Sequence, residues 1–184
     1  IMEITRVFDI LELYKTQYIK DDVLSGKENK QWKKYSSEEL INKVNHVSNG
    51  LLALGLTEKD KVAIISNNRP EWNFCDYGCQ QANIVTVPIF PTISNTDLEF
   101  ILNHGEVKAI FISDKSIYAK LVAIEKQIPN VKHIISFNPI EGIMPFSDFI
   151  ELGTKNSNPE KLDGIKKSIL PSNLFSILYT SGTT

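Results

Sequence analysis

Thr180-Ser181-Gly182-Thr183-Thr184 is a run of residues whose types suit anion chemistry. The Thr and Ser hydroxyls can donate hydrogen bonds. Gly182 tolerates positive φ and, lacking a Cβ, leaves a backbone N–H bare to an approaching phosphate. The run follows Leu174 to Tyr179, an apolar stretch that predicts a strand. A loop at the carboxyl end of a strand is where open α/β sheets bind ligands. Spacing alone leaves two readings, a polyphosphate cradle or a Ser/Thr/Gly turn without a ligand. It favours the turn, because this is not a Walker A loop and no Lys follows.

Other reactive side chains are weaker candidates. Cys75 and Cys79 are the only cysteines, four apart in a helical pattern, so they can share one face. His46, His104 and His133 are scattered without metal-ligand spacing. The two thiols therefore read as buried, reduced core residues of a cytoplasmic protein. His104 lies near a helix end, where the helix dipole favours it, with no Ser or Cys to serve beside it as nucleophile. Trp72 and Phe74 read as helix packing before cavity lining. Arg69 reads as a surface or capping residue before a phosphate ligand. Asn67-Asn68 ends a strand. Phe90 and Thr92, between prolines, face a substrate cavity only in the weaker reading. Lys166-Lys167 is most simply a solvated face.

The 184 residues make one domain, or one and a piece. Lys and Arg number 20 against 22 Asp and Glu, a net charge of −2, which argues against a nucleic-acid binder. Arg6 and Arg69 are the only arginines, so bidentate guanidinium clamps on phosphate are scarce. Collagen-like, disordered and disulfide-scaffold classes are excluded by composition. No apolar run reaches the about 18 residues of a membrane span. Residues 1–13 carry Glu3, Asp9 and Glu12 and do not read as a signal peptide.

The elements that must position the loop follow from periodicity. Residues 5–18 predict a helix. Val23-Leu24 and Trp32 to Tyr35 predict a hairpin around Gly26 to Lys30. Ser36 and Glu39 form a capping box for a helix carrying Leu40, Val44, Val47, Leu51 and Leu54, with Gly55 at its end. Strands are expected at Val62 to Ile65, Ile84 to Ile89, Ala109 to Ile112 and His133 to Phe137. Helices between them start at Pro70, at Ser94 or Thr96, and at Asp114. After Asn138 the pattern weakens, to a short helix from Pro145 to Leu152 and a polar surface connection from Gly153 to Lys167. The fold class expected is α/β, a mostly parallel sheet with helices on both faces.

Tyr179-Thr180-Ser181-Gly182-Thr183-Thr184 resembles the opening of the phosphate loop of the adenylate-forming superfamily. That superfamily contains acyl-CoA synthetases, peptide-synthetase adenylation domains and luciferases. Gly50 to Ile65, with Lys59-Asp60-Lys61-Val62-Ala63-Ile64, resembles its early helix–strand step. Asn68-Arg69-Pro70-Glu71-Trp72 and Val87-Pro88-Ile89-Phe90-Pro91-Thr92 resemble the long-chain fatty-acid branch. The likeness runs from about Phe8 to Thr184.

The resemblance implies a partial N-terminal AMP-binding domain of an ATP-dependent fatty-acid–CoA ligase. Its parts would be an N-terminal helix and hairpin (1–35), an α/β core (36–138), a connection (139–173), and a strand with the start of the phosphate loop (174–184). The implied substrates and cofactors are fatty acid, ATP, Mg²⁺ and CoA. By family pattern Thr180 would help ligate Mg²⁺, while Ser181, Gly182, Thr183 and Thr184 would contact phosphate. The family loop continues with Gly-x-Pro-Lys-Gly, and the adenine-binding segment, the acidic Mg²⁺ partner and the catalytic Lys also lie beyond these residues. The fragment alone is therefore expected to be inactive, and to self-associate through a sheet edge without its neighbours. Peripheral contact with the inner face of a membrane is a further expectation for the parent. Two alternatives stay open: another carboxylate-adenylating enzyme, acting on an aryl or amino acid, and a non-catalytic nucleotide-binding module.

Overall fold

The computed structural model describes residues 3–28 and 30–180. A 3₁₀ turn, Val7–Asp9, leads into α1 (Ile10–Thr16). This is shorter than the helix expected over 5–18. The Asp9 carboxylate takes the Arg6 N–H at 2.9 Å and the Arg6 guanidinium at 2.7 Å, which ties the entry into a tighter turn. A hairpin forms as expected, with a tighter turn: β1 (Leu24–Glu28) pairs antiparallel with β2 (Gln31–Tyr35), so Gly26 to Glu28, expected in the turn, belong to the strand.

Then comes α2 (Ser37–Ala53). The Glu39 N–H donates to Ser36 Oγ at 3.1 Å, and the Ser36 N–H donates to the Glu39 carboxylate at 2.7 Å. This reciprocal pair starts the helix where the sequence puts it. Gly55, at φ +87°, turns the chain out of it.

The body is a five-stranded parallel sheet in the order β4-β3-β5-β6-β7. The strands are β3 (Lys61–Ile65), β4 (Val85–Ile89), β5 (Val107–Ile112), β6 (His133–Ser136) and β7 (Met144–Pro145). The helices are α3 (Pro70–Gln81), α4 (Asn95–His104), α5 (Lys115–Ala123), α6 (Phe146–Lys155) and α7 (Pro159–Ser168). Ser94, rather than Thr96, caps α4, its hydroxyl accepting from the Asp97 N–H.

The unbroken apolar strands are covered on both faces. Val62, Ile64, Ala109 and Phe111 join one cluster with α2, α3 and α6. Ala63, Ile65, Ile110 and Ile112 join the other with α4 and α5. Each fully buried Ile or Phe contributes roughly 1.5–3 kcal/mol. Cys75 and Cys79 are buried free thiols of α3, as expected, and Phe74 is buried while Trp72 packs half-exposed.

Glycines let the helices close on α2. A Cβ on Gly78 would lie 2.7 Å from Val47 Cβ, and one on Gly50 would lie 2.8 Å from the Phe149 ring. Gly153 faces the His46 carbonyl with no room for a side chain. Phe149 in turn meets Phe111 edge-on, ring centres 5.2 Å apart, fixing α6 on the sheet.

Two expectations are overturned. Residues 153–167 are no surface connection: they contain the end of α6 and most of α7, and Leu162 is buried. Asn158 caps α7 by accepting from the Lys161 N–H, and Pro159 occupies its first turn. Residues 174–179 form no regular strand. They meet β4 at one parallel bridge, Thr86 with Ser176. There the Thr86 N–H donates to the Phe175 carbonyl at 3.0 Å, and the Ile177 N–H donates to the Thr86 carbonyl at 2.9 Å. The next residue of β4 facing that side is Pro88, which has no N–H, so the ladder stops.

Candidate functional site

The bridge runs parallel to β4, so residues 177–180 travel toward the strand's carboxyl end. Thr180 emerges there, exposed, on a cleft of about 460 Å³ that it shares with Ile89, Phe90, Thr92, Ile93 and Tyr179. Phe90 and Thr92 thus come to the same cleft as Thr180, with Phe90 82% exposed. The expected phosphate contacts Ser181, Gly182, Thr183 and Thr184 lie outside the described residues.

What holds the approach to Thr180 is polar and specific. Thr86 is fully buried. Its hydroxyl stands 3.0 Å from an Asp76 carboxyl oxygen and 3.3 Å from the Phe175 carbonyl. Gln80 donates to the other Asp76 oxygen at 2.8 Å. Burial pushes the Asp76 carboxyl above its ordinary value, against the opposing pull of these two hydrogen bonds. Neither bond brings a compensating cation. Four residues past Phe175, the Tyr179 hydroxyl lies 2.7 Å from His104 Nδ1 at the end of α4. Burial raises the Tyr179 phenol above its usual value while Lys61 opposes it, so the hydroxyl stays protonated at neutral pH.

A second cleft, about 720 Å³, opens between the hairpin and the start of α3. Lys27, Glu28, Trp32, Arg69, Glu71 and Asn138 line it. Three of its charges are paired: Arg69 donates to Glu71 at 2.8 and 2.9 Å and to Asn138 at 3.1 Å, and Glu28 pairs with Lys33 at 3.0 Å, while Lys27 lies over the Trp32 ring. Arg69 stands at the N-cap position of α3, but its side chain caps nothing, so the expected capping role gives way to an ion pair. This cleft was not visible in the sequence; its one signal, Trp32, is a large aromatic that stays 69% exposed beside a charged hairpin.

Among the described residues no group of three or more His, Cys, Asp or Glu side chains could hold a metal ion. Burial drives the Cys75 and Cys79 thiols well above their ordinary value, which makes them inert. Thr180 offers one hard hydroxyl oxygen, the donor type that Mg²⁺ prefers. Its exposed hydroxyl is of a type that fits one such ligand.

The sequence profile of the family described as AMP-binding enzyme matches residues 15–184. The fatty acyl-CoA synthetase A of Dictyostelium discoideum is 26% identical over 176 residues, covering 89% of this chain and 25% of that protein. A long-chain-fatty-acid–CoA ligase of Homo sapiens is 29% identical over 167 residues, covering 88% of this chain and 23% of that protein. The chain thus spans about a quarter of the length of these relatives. The crystal structure of the anthranilate CoA ligase AuaEII with anthranoyl-AMP superposes with a TM-score of 0.77 at 20% identity, covering 97% of this chain and 33% of that one. The apo structure of Mycobacterium smegmatis MbtA superposes with a TM-score of 0.75 at 16% identity, covering 97% of this chain and 32% of that one.

Proposed function

This chain belongs to the AMP-binding enzyme family, and from that premise we propose that it supplies the start of the phosphate loop in an ATP-dependent fatty-acid–CoA ligase. A carboxylate is a poor electrophile. In the proposed reaction its oxygen attacks the α-phosphorus of ATP, pyrophosphate leaves, and an acyl-adenylate forms. The thiol of CoA then displaces AMP to give the thioester. The observation that carries the reading is the exposed Thr180 at the carboxyl end of β4, anchored through the bridge at Thr86. Its hydroxyl would serve Mg²⁺ or a phosphate oxygen, and Ser181, Gly182, Thr183 and Thr184 would hold the β- and γ-phosphates. The task is orientation and charge stabilisation. Mg²⁺, when bound, neutralises the phosphates and draws electrons from phosphorus.

A fatty-acid substrate is favoured by the names of the relatives and by the branch-like stretches 68–72 and 87–92. A solved neighbour that carries anthranoyl-AMP keeps an aryl acid as the second reading. The proposal includes a cytoplasmic site of action with peripheral membrane contact. No helix among the described residues is long and apolar enough to cross a membrane. It also includes self-association of the isolated chain, because Leu170, Leu174 and Leu178 are each at least 60% exposed near the β4 edge. Light scattering over a concentration series checks this, and a monomer throughout would refute it.

The deciding experiment is fatty-acid-dependent ATP–pyrophosphate exchange by the full-length protein that carries this segment. Thr180→Ala is expected to slow exchange on the order of 10²-fold, the usual cost of one oriented electrostatic contact. Exchange driven by aryl acids but not by fatty acids would favour the second reading. Unchanged exchange in the variant would remove Thr180 from the site.

A further inference from the structure

Tyr179 is the residue immediately before Thr180, and its ring is gripped from one side by the end of α4. The His104 imidazole and the Tyr179 phenol share a 2.7 Å hydrogen bond, which forms with either imidazole tautomer. The two rings meet edge-on, centres 5.7 Å apart at 85°. Phe100, one helical turn earlier, stacks on His104 at 5.3 Å and 21°, and meets Tyr179 edge-on at 6.3 Å and 87°. The fit continues at the helix end, where a Cβ on Gly105 would stand 3.4 Å from the Tyr179 hydroxyl.

This grip is the second of two. The first is the pair of backbone bonds between Thr86 and residues 175 and 177. Between them Leu178 points outward, 71% exposed. A segment pinned at Ile177 and again at Tyr179 has little freedom left in the direction its next residue takes. The His104–Tyr179 bond is itself exposed. Water competes for exposed hydrogen bonds, so this one adds little to global stability, while its geometry still orients the chain.

We propose that His104 is a positioning residue for the phosphate loop: by holding the Tyr179 hydroxyl it sets the direction in which Thr180 meets the nucleotide phosphates. The proposal rests on the ligase reading for its substrate, and on the ring geometry for its residue. His104 touches no reacting atom in this scheme. It acts through Tyr179, so its loss should weaken ATP binding more than the chemical step.

Three single variants and one double test this in the full-length protein. His104→Ala removes the partner, Tyr179→Phe removes the hydroxyl and keeps the ring, and His104→Asn returns an amide near the Nδ1 position. His104→Ala and Tyr179→Phe are each expected to raise the KM for ATP about threefold to tenfold, the range that one hydrogen bond spans, with kcat within about twofold of wild type. His104→Asn should restore most of the KM. The double variant His104→Ala/Tyr179→Phe should be no worse than the poorer single, as expected of two groups sharing one contact. A loss of kcat at unchanged KM is the signature of partial misfolding and would overturn the proposal, as would fully additive effects. Amide exchange of the peptide spanning Ser176 to Thr180 gives a readout independent of catalysis. Exchange there should quicken several-fold in His104→Ala without change in α2 or α3, and unchanged exchange would overturn the proposal. Were the wild-type protein to show no ATP–pyrophosphate exchange, the ligase reading would fail, and the amide measurement would alone decide whether His104 holds the segment.

Discussion

Replacing Gly78 by alanine puts a methyl group where α3 touches α2. The new carbon would lie 2.5 Å from Val47 Cγ1, 2.7 Å from Val47 Cβ and 3.1 Å from the Val44 carbonyl oxygen. Ordinary carbon contacts sit at about 3.5–4.0 Å, so the helices must part by roughly 1 Å. Val47 is fully buried and its Cβ is fixed to the helix backbone, so no flexible chain end can yield. Overpacking of this kind costs about 1–3 kcal/mol. Alanine recovers about 1 kcal/mol through helix propensity, leaving a net loss of up to about 2 kcal/mol. Gly164 is the matched control. It lies exposed inside α7, and an alanine methyl there would meet nothing within 4 Å. Gly164→Ala should therefore stabilise by about 0.5–1 kcal/mol. At about 2–4 °C per kcal/mol for a chain of this size, Gly164→Ala should melt above Gly78→Ala by up to roughly 12 °C. Circular dichroism melts and urea midpoints of both variants beside wild type measure this. If Gly78→Ala melted at or above wild type, the close approach of α2 and α3 would be refuted; if Gly164→Ala lowered the midpoint, α7 would be.

Two further outcomes are expected. Asp76 is held above its ordinary value near 3.8, so between that value and its raised value the fold keeps a proton that the unfolded chain has released. Stability should therefore fall as pH rises through that window, and Asp76→Asn should flatten the fall; urea midpoints at about pH 4 and about pH 7 check this, and an unchanged slope would sink it. The 184-residue chain alone should bind ATP–Mg²⁺ weakly or not at all, because the residues lining the cleft at Thr180 carry no charge; calorimetric titration showing micromolar affinity would refute this.

The legible parts of the fold are those decided within a few residues. Ser36 and Glu39 announce the start of α2, and the continuous run Val62 to Ile65 announces a strand covered twice. α7 was legible too: Asn158, Pro159 and Glu160 are start signals, with Lys166 and Lys167 in the last turn. Its polar composition outweighed them, although a helix with one buried stripe residue, Leu162, needs few apolar positions. The missing strand at 174–179 was not legible in that segment, since Pro88, on another strand, ends the ladder. β7 is two residues long, below what periodicity can register. At the site, the types of Thr180 and its followers suit phosphate, but spacing alone favours a plain turn, and only the resemblance of the whole motif tips the reading toward phosphate. The tie between His104 and Tyr179 joins residues 75 apart, and no local pattern encodes it.

The bridge at Thr86 also has a meaning in time. Thr86 and Phe175 are separated by 89 positions in the chain. A ribosome adding about 5–20 residues per second needs roughly 5–20 s to make that stretch. Strands β3 to β7 and their helices can therefore assemble on the nascent chain before residues 174–180 exist. For that interval the outer groups of Thr86 face water or any passing strand. The segment that leads to Thr180 arrives after β3 to β7, onto an edge already built, so its docking is a separate event that a nascent-chain chaperone could delay without disturbing the sheet.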